Sequence, residues 1–355
     1  MRISFVLPGL GDSGGIRVVK EYTELFNEMG IDTCIYCPIL ADNLHRYPYG
    51  TVNLLHRIYC TLKTLAGMDK KQKLVRWIPY VAGRYIREAD YVIATMWATA
   101  YKVKELPDRC GEKWYFIQGY EIWDNEELGK GSYNLPLKKL VISSWINTQL
   151  KENLDIGPFP IVFNGVDAKF LREKVEDKQN KKLSILMVNH EDSGKGVDTG
   201  LEVFAKVRER YPEIRFSMFG FCKGSNLPDY VEYYRNPDEN TLIKLYSQSD
   251  IFLFPSLGEG WGLPPLEAMA GGCAVAAANT GFVRDVGTDR ENVMISETGD
   301  VQGMFDNVAE LVENADLRER LVRNGYALVK RLDWRASAES FINVLTQQED
   351  RNRQV

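Results

Sequence analysis

The chain has 355 residues, 45% of them apolar, and a formal net charge of −5. That length gives room for two ordinary domains, and the apolar fraction is normal for a soluble globular protein. No apolar run is long enough to span a bilayer. The opening MRISFVLPGLGDSGG has too short an apolar run for a signal peptide and no small-residue cleavage site after it. It reads as a first buried strand, and the protein as cytoplasmic. Of the cysteines, only Cys34 and Cys37 are close, as CIYC inside an expected strand. A single pair without nearby histidines is a poor zinc site, and free thiols in a reducing compartment are the expectation.

Strand-like runs alternate with helical patterns, which predicts α/β architecture with parallel sheets covered by helices on both faces. Strands are expected at 3–7, 33–37, 91–95, 114–117, 140–142 and 161–163, and helices at 16–29 and 145–153. A charged, glycine-free stretch at 168–182 reads as a linker. Beyond it, strands are expected at 184–188, 215–219, 231–233, 250–254, 274–277 and 293–295. Helices fit 198–211, 239–247, 265–270, 301–314 and 316–330. The chain thus divides into a domain at 1–167, the linker, a domain at 183–333 and a last helix at 334–350.

Gly9, Gly11 and Gly14 follow the first strand at G-x-G-x-x-G spacing, the place of a dinucleotide fingerprint. That fingerprint also needs an acid at the end of the second strand. Here the strand ends in Cys37-Pro38-Ile39, with no carboxylate before Asp42, so an NAD-dependent dehydrogenase loses half its support.

Residues 254–272, FPSLGEGWGLPPLEAMAGG, are the most informative. An apolar strand runs into a glycine-rich turn, and Pro264 and Pro265 suit the start of a helix. Unpaired amides and the positive end of the dipole would converge on one place, an anion site. With the helix opening at Pro264 or Pro265, Glu267 sits in its first turn and Glu259 in the preceding loop. The two would reach one ligand from two directions. Alternatively, Glu267 offsets the dipole and Glu259 is a solvated loop acid.

Glu259 and Glu267 resemble the E-x7-E signature of retaining glycosyltransferases of family 4. That resemblance implies a GT-B fold, two Rossmann-like domains facing a central cleft, with the last helix packing back on the first. It implies that Glu259 lies near the donor sugar and phosphates, that Glu267 holds the ribose, and that amides at Gly262 and Leu263 contact a diphosphate. Ser13-Gly14-Gly15 resembles the family's loop that faces the donor phosphates, and NGVD at 164–167 its hinge turn. Lys195-Gly196 matches the family's Lys-Gly, so Lys195 would neutralise charge on the departing diphosphate. The family commonly has an arginine where this chain has His190. Where many relatives carry a histidine touching the sugar, this chain has Gln118, with Glu121 after it. That pattern resembles a subgroup including bacterial rhamnosyltransferases of surface-polysaccharide pathways. Gln118 is a candidate substrate contact and Glu121 an acceptor-side acid or sugar ligand; structural roles remain open for both.

The implied reaction is retaining transfer from a nucleotide-diphosphate sugar to a hydroxyl of a glycan or lipid-linked acceptor, without cofactor or resident metal. Domain closure would exclude water and align the acceptor. Between residues 57 and 87, eight basic residues face one acid, a net of +7. Interleaved with Trp77, Tyr80 and Tyr85, they suit an anionic membrane surface, placing the protein peripherally at the inner face of the cytoplasmic membrane. A solvated helical hairpin is the alternative. No binding motif supports nucleic acid. A non-catalytic nucleotide-sugar-binding subunit and a GT-B sugar epimerase are the remaining competitors.

Overall fold

The computed structural model describes residues 1–11, 13–40, 51–66, 73–123, 125–171 and 182–352. The chain forms two units. One comprises Met1–Ile142, Ile146–Val162 and Ser337–Val355, the other Ser143–Trp145 and Phe163–Ala336. Residues 172–181 of the expected linker at 168–182, and Asp42, lie outside the described residues.

The first unit is built from β1 (Arg2–Val6), α1 (Gly14–Glu28), β2 (Asp32–Pro38), α2 (Thr51–Ala66), β3 (Val75–Ile78), β4 (Tyr91–Ala94), α3 (Trp97–Lys104), β5 (Glu112–Ile117), α4 (Glu126–Ser132), β6 (Lys138–Val141) and, from Ile146 onward, α5 (Ser144–Leu154). Its sheet is parallel throughout, in the order β3-β2-β1-β4-β5-β6. The central strand β4, YVIA, reads as an unbroken apolar run because both faces are covered. In α1, the buried residues Val18, Val19, Tyr22, Thr23 and Phe26 recur at helical spacing and turn one stripe inward. The expected strand at 161–163 is a single bridge, Val141 to Ile161.

The second unit contains β7 (Ser184–Val188), α6 (Val197–Arg210), β8 (Arg215–Gly220), β9 (Val231–Arg235), α7 (Glu239–Gln248), β10 (Ile251–Phe254), α8 (Leu263–Ala270), β11 (Ala274–Ala278), α9 (Val283–Val286), β12 (Met294–Ser296), α10 (Val301–Glu313) and α11 (Ala315–Val329). Its parallel sheet runs β12-β11-β10-β7-β8-β9, the same arrangement as the first. Met187, Phe204, Val207, Met218 and Leu253 lie in its core.

The last helix, α12 (Trp334–Asn352), belongs to the first unit from Ser337 onward. Phe341 fills an aromatic pocket there. Its ring centroid lies 5.0 Å from those of Tyr22 and Phe116, 5.6 Å from Phe26 and 6.1 Å from Phe5. Every ring pair is tilted or edge-on, the preferred geometry.

Candidate functional site

In the second unit β7 and β10 are neighbours, but the chain leaves them toward opposite sides of the sheet, to β8 and to β11. Strand ends at such a switch point open a crevice where α/β sheets bind ligands. Both loops leaving it carry residues singled out above. After β7, Asp192 accepts from Gly194 N at 2.9 Å and closes a tight turn over Ser193–Lys195. Gly196 follows at φ +63°, and a Cβ there would stand 2.0 Å from the Pro255 carbonyl oxygen. Glycine alone fits this left-handed step into α6. The Gly194 carbonyl accepts from Leu257 N at 2.8 Å and from Ser256 Oγ at 3.2 Å, stitching the loop after β7 to the loop after β10. This sets Lys195 Nζ 2.7 Å from Glu259 Oε2. Glu259 N donates to Oγ1 of the buried Thr280 at 3.0 Å, adding a tether from the end of β11.

The start of α8 differs from expectation. Gly262, at φ +94°, is the N-cap, so the helix opens at Leu263 with the two prolines in its second and third positions. Those positions have no intrahelical use for an N–H. Glu267 is therefore the fifth helical residue, in the second turn rather than the first. It is 3% exposed and accepts from Tyr246 Oη at 3.0 Å. That position weakens the dipole-offset reading. Gly262 and Leu263 remain at the helix start, beside Glu259.

His190 is exposed, and its Nδ1 accepts from Asp192 N at 2.9 Å, which leaves the ring proton on Nε2. With Asn189 and Lys223 it borders a cavity of about 290 Å³ between the loops after β7 and β8. Lys195 and Glu259 lie outside that lining.

In the first unit, Gly14 and Gly15 open α1, and Ser13 provides no side-chain cap. A Cβ on Gly15 would stand 3.3 Å from Gln118 Nε2, so the Gln118 amide lies against the glycine. Gln118 Oε1 is buried and has no partner among the described residues. Buried polar atoms are rarely left so, which keeps this oxygen a candidate for a ligand contact. Glu121 is placed differently. It is 7% exposed, and its carboxylate accepts from Trp97 N, the first residue of α3, at 2.7 Å and from Tyr115 Oη at 2.8 Å. Burial pushes this carboxyl up to about 8, against the lowering by its two donors. Glu121 thus ties the loop after β5 to the start of α3.

Sequence reading missed Thr280 and Tyr246. Thr280 follows a strand at the ligand-binding edge, a signal that was available; Tyr246 meets Glu267 only through the fold. All six cysteines are free, and burial raises the thiols of Cys34 and Cys37. Among the described residues no three His, Cys, Asp or Glu side chains converge as a metal site. Among them, too, no helix is long and apolar enough to cross a membrane.

The stretch from 57 to 87 is not a helical hairpin, because α2 is followed by the edge strand β3. Val52, Leu55, Tyr59 and Leu62 form a stripe along α2, and each is 59–66% exposed.

The architecture is that of the GT-B fold. Sucrose-phosphate synthase from Thermosynechococcus elongatus aligns over 98% of this chain and 99% of its own, with TM-score 0.74 at 15% identity. Anabaena HepE in complex with UDP and glucose aligns over 98% and 100%, with TM-score 0.70 at 12% identity. Residues 169–328 match the family described as Glycosyl transferases group 1. That match covers most of the second unit, which resembles a group 1 glycosyltransferase domain. The chain is 27% identical over 197 residues to a phosphatidyl-myo-inositol mannosyltransferase of Mycobacterium tuberculosis, covering 51% of this chain and 52% of that protein. It therefore spans about half the length of the curated relatives it matches.

Proposed function

We propose that this protein is a retaining glycosyltransferase of family 4. It would move a sugar from a nucleotide-diphosphate sugar to a hydroxyl of a glycan or lipid-linked acceptor in bacterial surface-polysaccharide synthesis. The observation that carries this reading is the Lys195–Glu259 pair, 2.7 Å apart at the switch point and beside the start of α8. The diphosphate meets the amides at Gly262 and Leu263 and the Lys195 ammonium. Lysine has three donor protons, so Nζ can keep Glu259 and take a phosphate oxygen as well. Glu259 lies near the donor sugar, Glu267 holds the ribose, and His190 stands where relatives use arginine. In the first unit Gly14, Gly15 and Gln118 contact donor and acceptor, with Glu121 supporting their loop. The acceptor oxygen bonds to the anomeric carbon as the bond from that carbon to phosphate breaks. The acceptor's proton passes to the departing phosphate. This reading needs no resident metal, because the helix start and Lys195 carry the charge.

The Gln118 and Glu121 pattern inclines the donor toward an activated rhamnose. The exposed apolar stripe of α2, with the basic residues that follow it, supports docking on an anionic membrane surface where a lipid-linked acceptor would lie.

The test is thermal shift of wild type and Glu267→Ala with dTDP-, UDP- and GDP-sugars, followed by transfer assays. A donor at ~100 times its Kd adds about 2.7 kcal/mol to stability. One donor that stabilises wild type but not the variant supports the reading. Tight binding without turnover toward any acceptor supports the non-catalytic subunit instead, and no shift with any donor overturns both.

A further inference from the structure

A second concentration of charge lies in the first unit, along the edge of its sheet beside β2 and β3, with neither Gly15 nor Gln118 in its lining. An open depression of about 490 Å³ at the edge strand β3 is lined by Arg76, Arg84, Arg87 and Arg109, with Tyr36 and Trp77, and by no carboxylate. Arg87 locates it. Its guanidinium pairs with Asp32 at 2.6 Å and donates to the carbonyls of Asp32 and Ile3. Ile3 and Asp32 stand near strand starts, while Tyr36 and Ile78 carry the lining toward the ends of β2 and β3.

The four arginines are held differently. Arg87 is neutralised by Asp32, which Arg2 also contacts at 3.2 Å. Arg109 donates to the Ile86 and Gly83 carbonyls, which fixes its direction without neutralising it. Arg84 has no carboxylate partner among the described residues. Its guanidinium lies over the rings of Tyr85 and Tyr80, 4.8 and 5.3 Å from their centroids. Arg76 also has no carboxylate partner among the described residues; its hydrogen-bond partner is Tyr36 Oη at 3.4 Å. Trp77 Nε1 and Arg87 Nε are buried donors without partners among the described residues. Three guanidinium groups without a carboxylate, preset by backbone and ring contacts, repel one another unless an anion joins them. Several donor forks around one point suit a tetrahedral, multiply charged oxyanion better than a carboxylate.

We propose that this arginine depression binds a phosphate group, presented either by soluble phosphate or by a phosphomonoester lipid headgroup. The site is independent of the donor crevice.

The test is calorimetric titration of inorganic phosphate into the full chain, as wild type, Lys195→Gln, Arg76→Gln/Arg84→Gln and Arg84→Gln alone. Binding should persist in Lys195→Gln and weaken about tenfold or more in the double variant, since each lost contact is a hydrogen bond to a charged group. Arg84 is exposed and outside any ion pair, so the single variant keeps the fold and should show a smaller loss. Sedimentation with phosphatidic acid vesicles, compared with phosphatidylcholine vesicles, separates the sources. Stronger retention of wild type than of the double variant on phosphatidic acid identifies a lipid headgroup; equal retention identifies soluble phosphate. Absence of phosphate binding in wild type, undiminished binding in the arginine variants, or loss confined to Lys195→Gln overturns the proposal. The last result would leave the donor reading standing.

Discussion

Replacing Glu121 by glutamine tests how its loop is held. The carboxyl rises from its ordinary 4.5 to about 8, with burial the largest cause. The folded protein therefore holds this proton more tightly than the unfolded chain. The resulting stabilisation is complete below about pH 4.5 and is lost as pH rises toward about 8. While the folded group stays protonated and the unfolded one ionised, the loss approaches about 1.4 kcal/mol per pH unit. Between about pH 5.5 and about pH 7 it amounts to roughly 2 kcal/mol. For a unit of this size, that is a fall in Tm of about 4–8 °C. Glutamine is neutral and keeps both contacts, its one amide oxygen accepting from Trp97 N and from Tyr115 Oη. The assay is Tm of wild type and Glu121→Gln across this window, read as their difference so that other titrating groups cancel. The wild-type advantage should shrink steadily as pH rises. A constant difference would refute the reasoning, because the two donors would then outweigh burial and keep the carboxylate ionised. Transfer by the same variant separates its roles. A residue that only ties the loop to α3 leaves kcat within a few-fold, whereas one that handles a proton loses about 100-fold or more.

Gly196→Ala forces a Cβ to 2.0 Å from the Pro255 oxygen at a left-handed φ. It should lower stability by about 2 kcal/mol or more and displace Lys195, raising KM for the donor; denaturant unfolding and kinetics check both. Phe341→Ala empties the pocket among Tyr22, Phe26 and Phe116 and should destabilise by about 3–5 kcal/mol in urea unfolding, with donor affinity unchanged where the protein stays folded. Gln118→Ala removes the buried oxygen beside Gly15. Unchanged donor and acceptor kinetics would exclude it as a substrate contact.

The sequence was most legible where burial is uniform. All six strands of the second sheet were located within a residue or two, because their apolar runs lie between turn-forming residues. The first unit hid more. Of the residues in β3, only Ile78 is buried, so its VRWI carries no strand periodicity. The α2 stripe is apolar without being covered, and α4 contains two glycines and depends on Asn125 accepting from Leu128 N. At the site, E-x7-E and Lys-Gly were readable as residues, but their coupling was not. The 2.7 Å approach of Lys195 to Glu259 depends on backbone bonds to one carbonyl, Gly194, that no side-chain pattern records. The shift of α8 by a residue rests on the φ of Gly262, and it decides whether Glu267 faces the helix start or the core.

The route of α12 has a practical consequence for dissecting the protein. The first unit is completed by residues from the far end of the sequence, so a fragment stopping at Val162 would lack Phe341 and bare Phe5, Tyr22, Phe26 and Phe116 to solvent. Such a fragment should be sticky and poorly soluble. An independently folding first unit would have to be spliced, with residues 337–352 joined by a short flexible connector to the end at Val162. The second unit takes only Ser143–Trp145 from outside its continuous span, so expression from Phe163 to Ala336 leaves its own sheet intact.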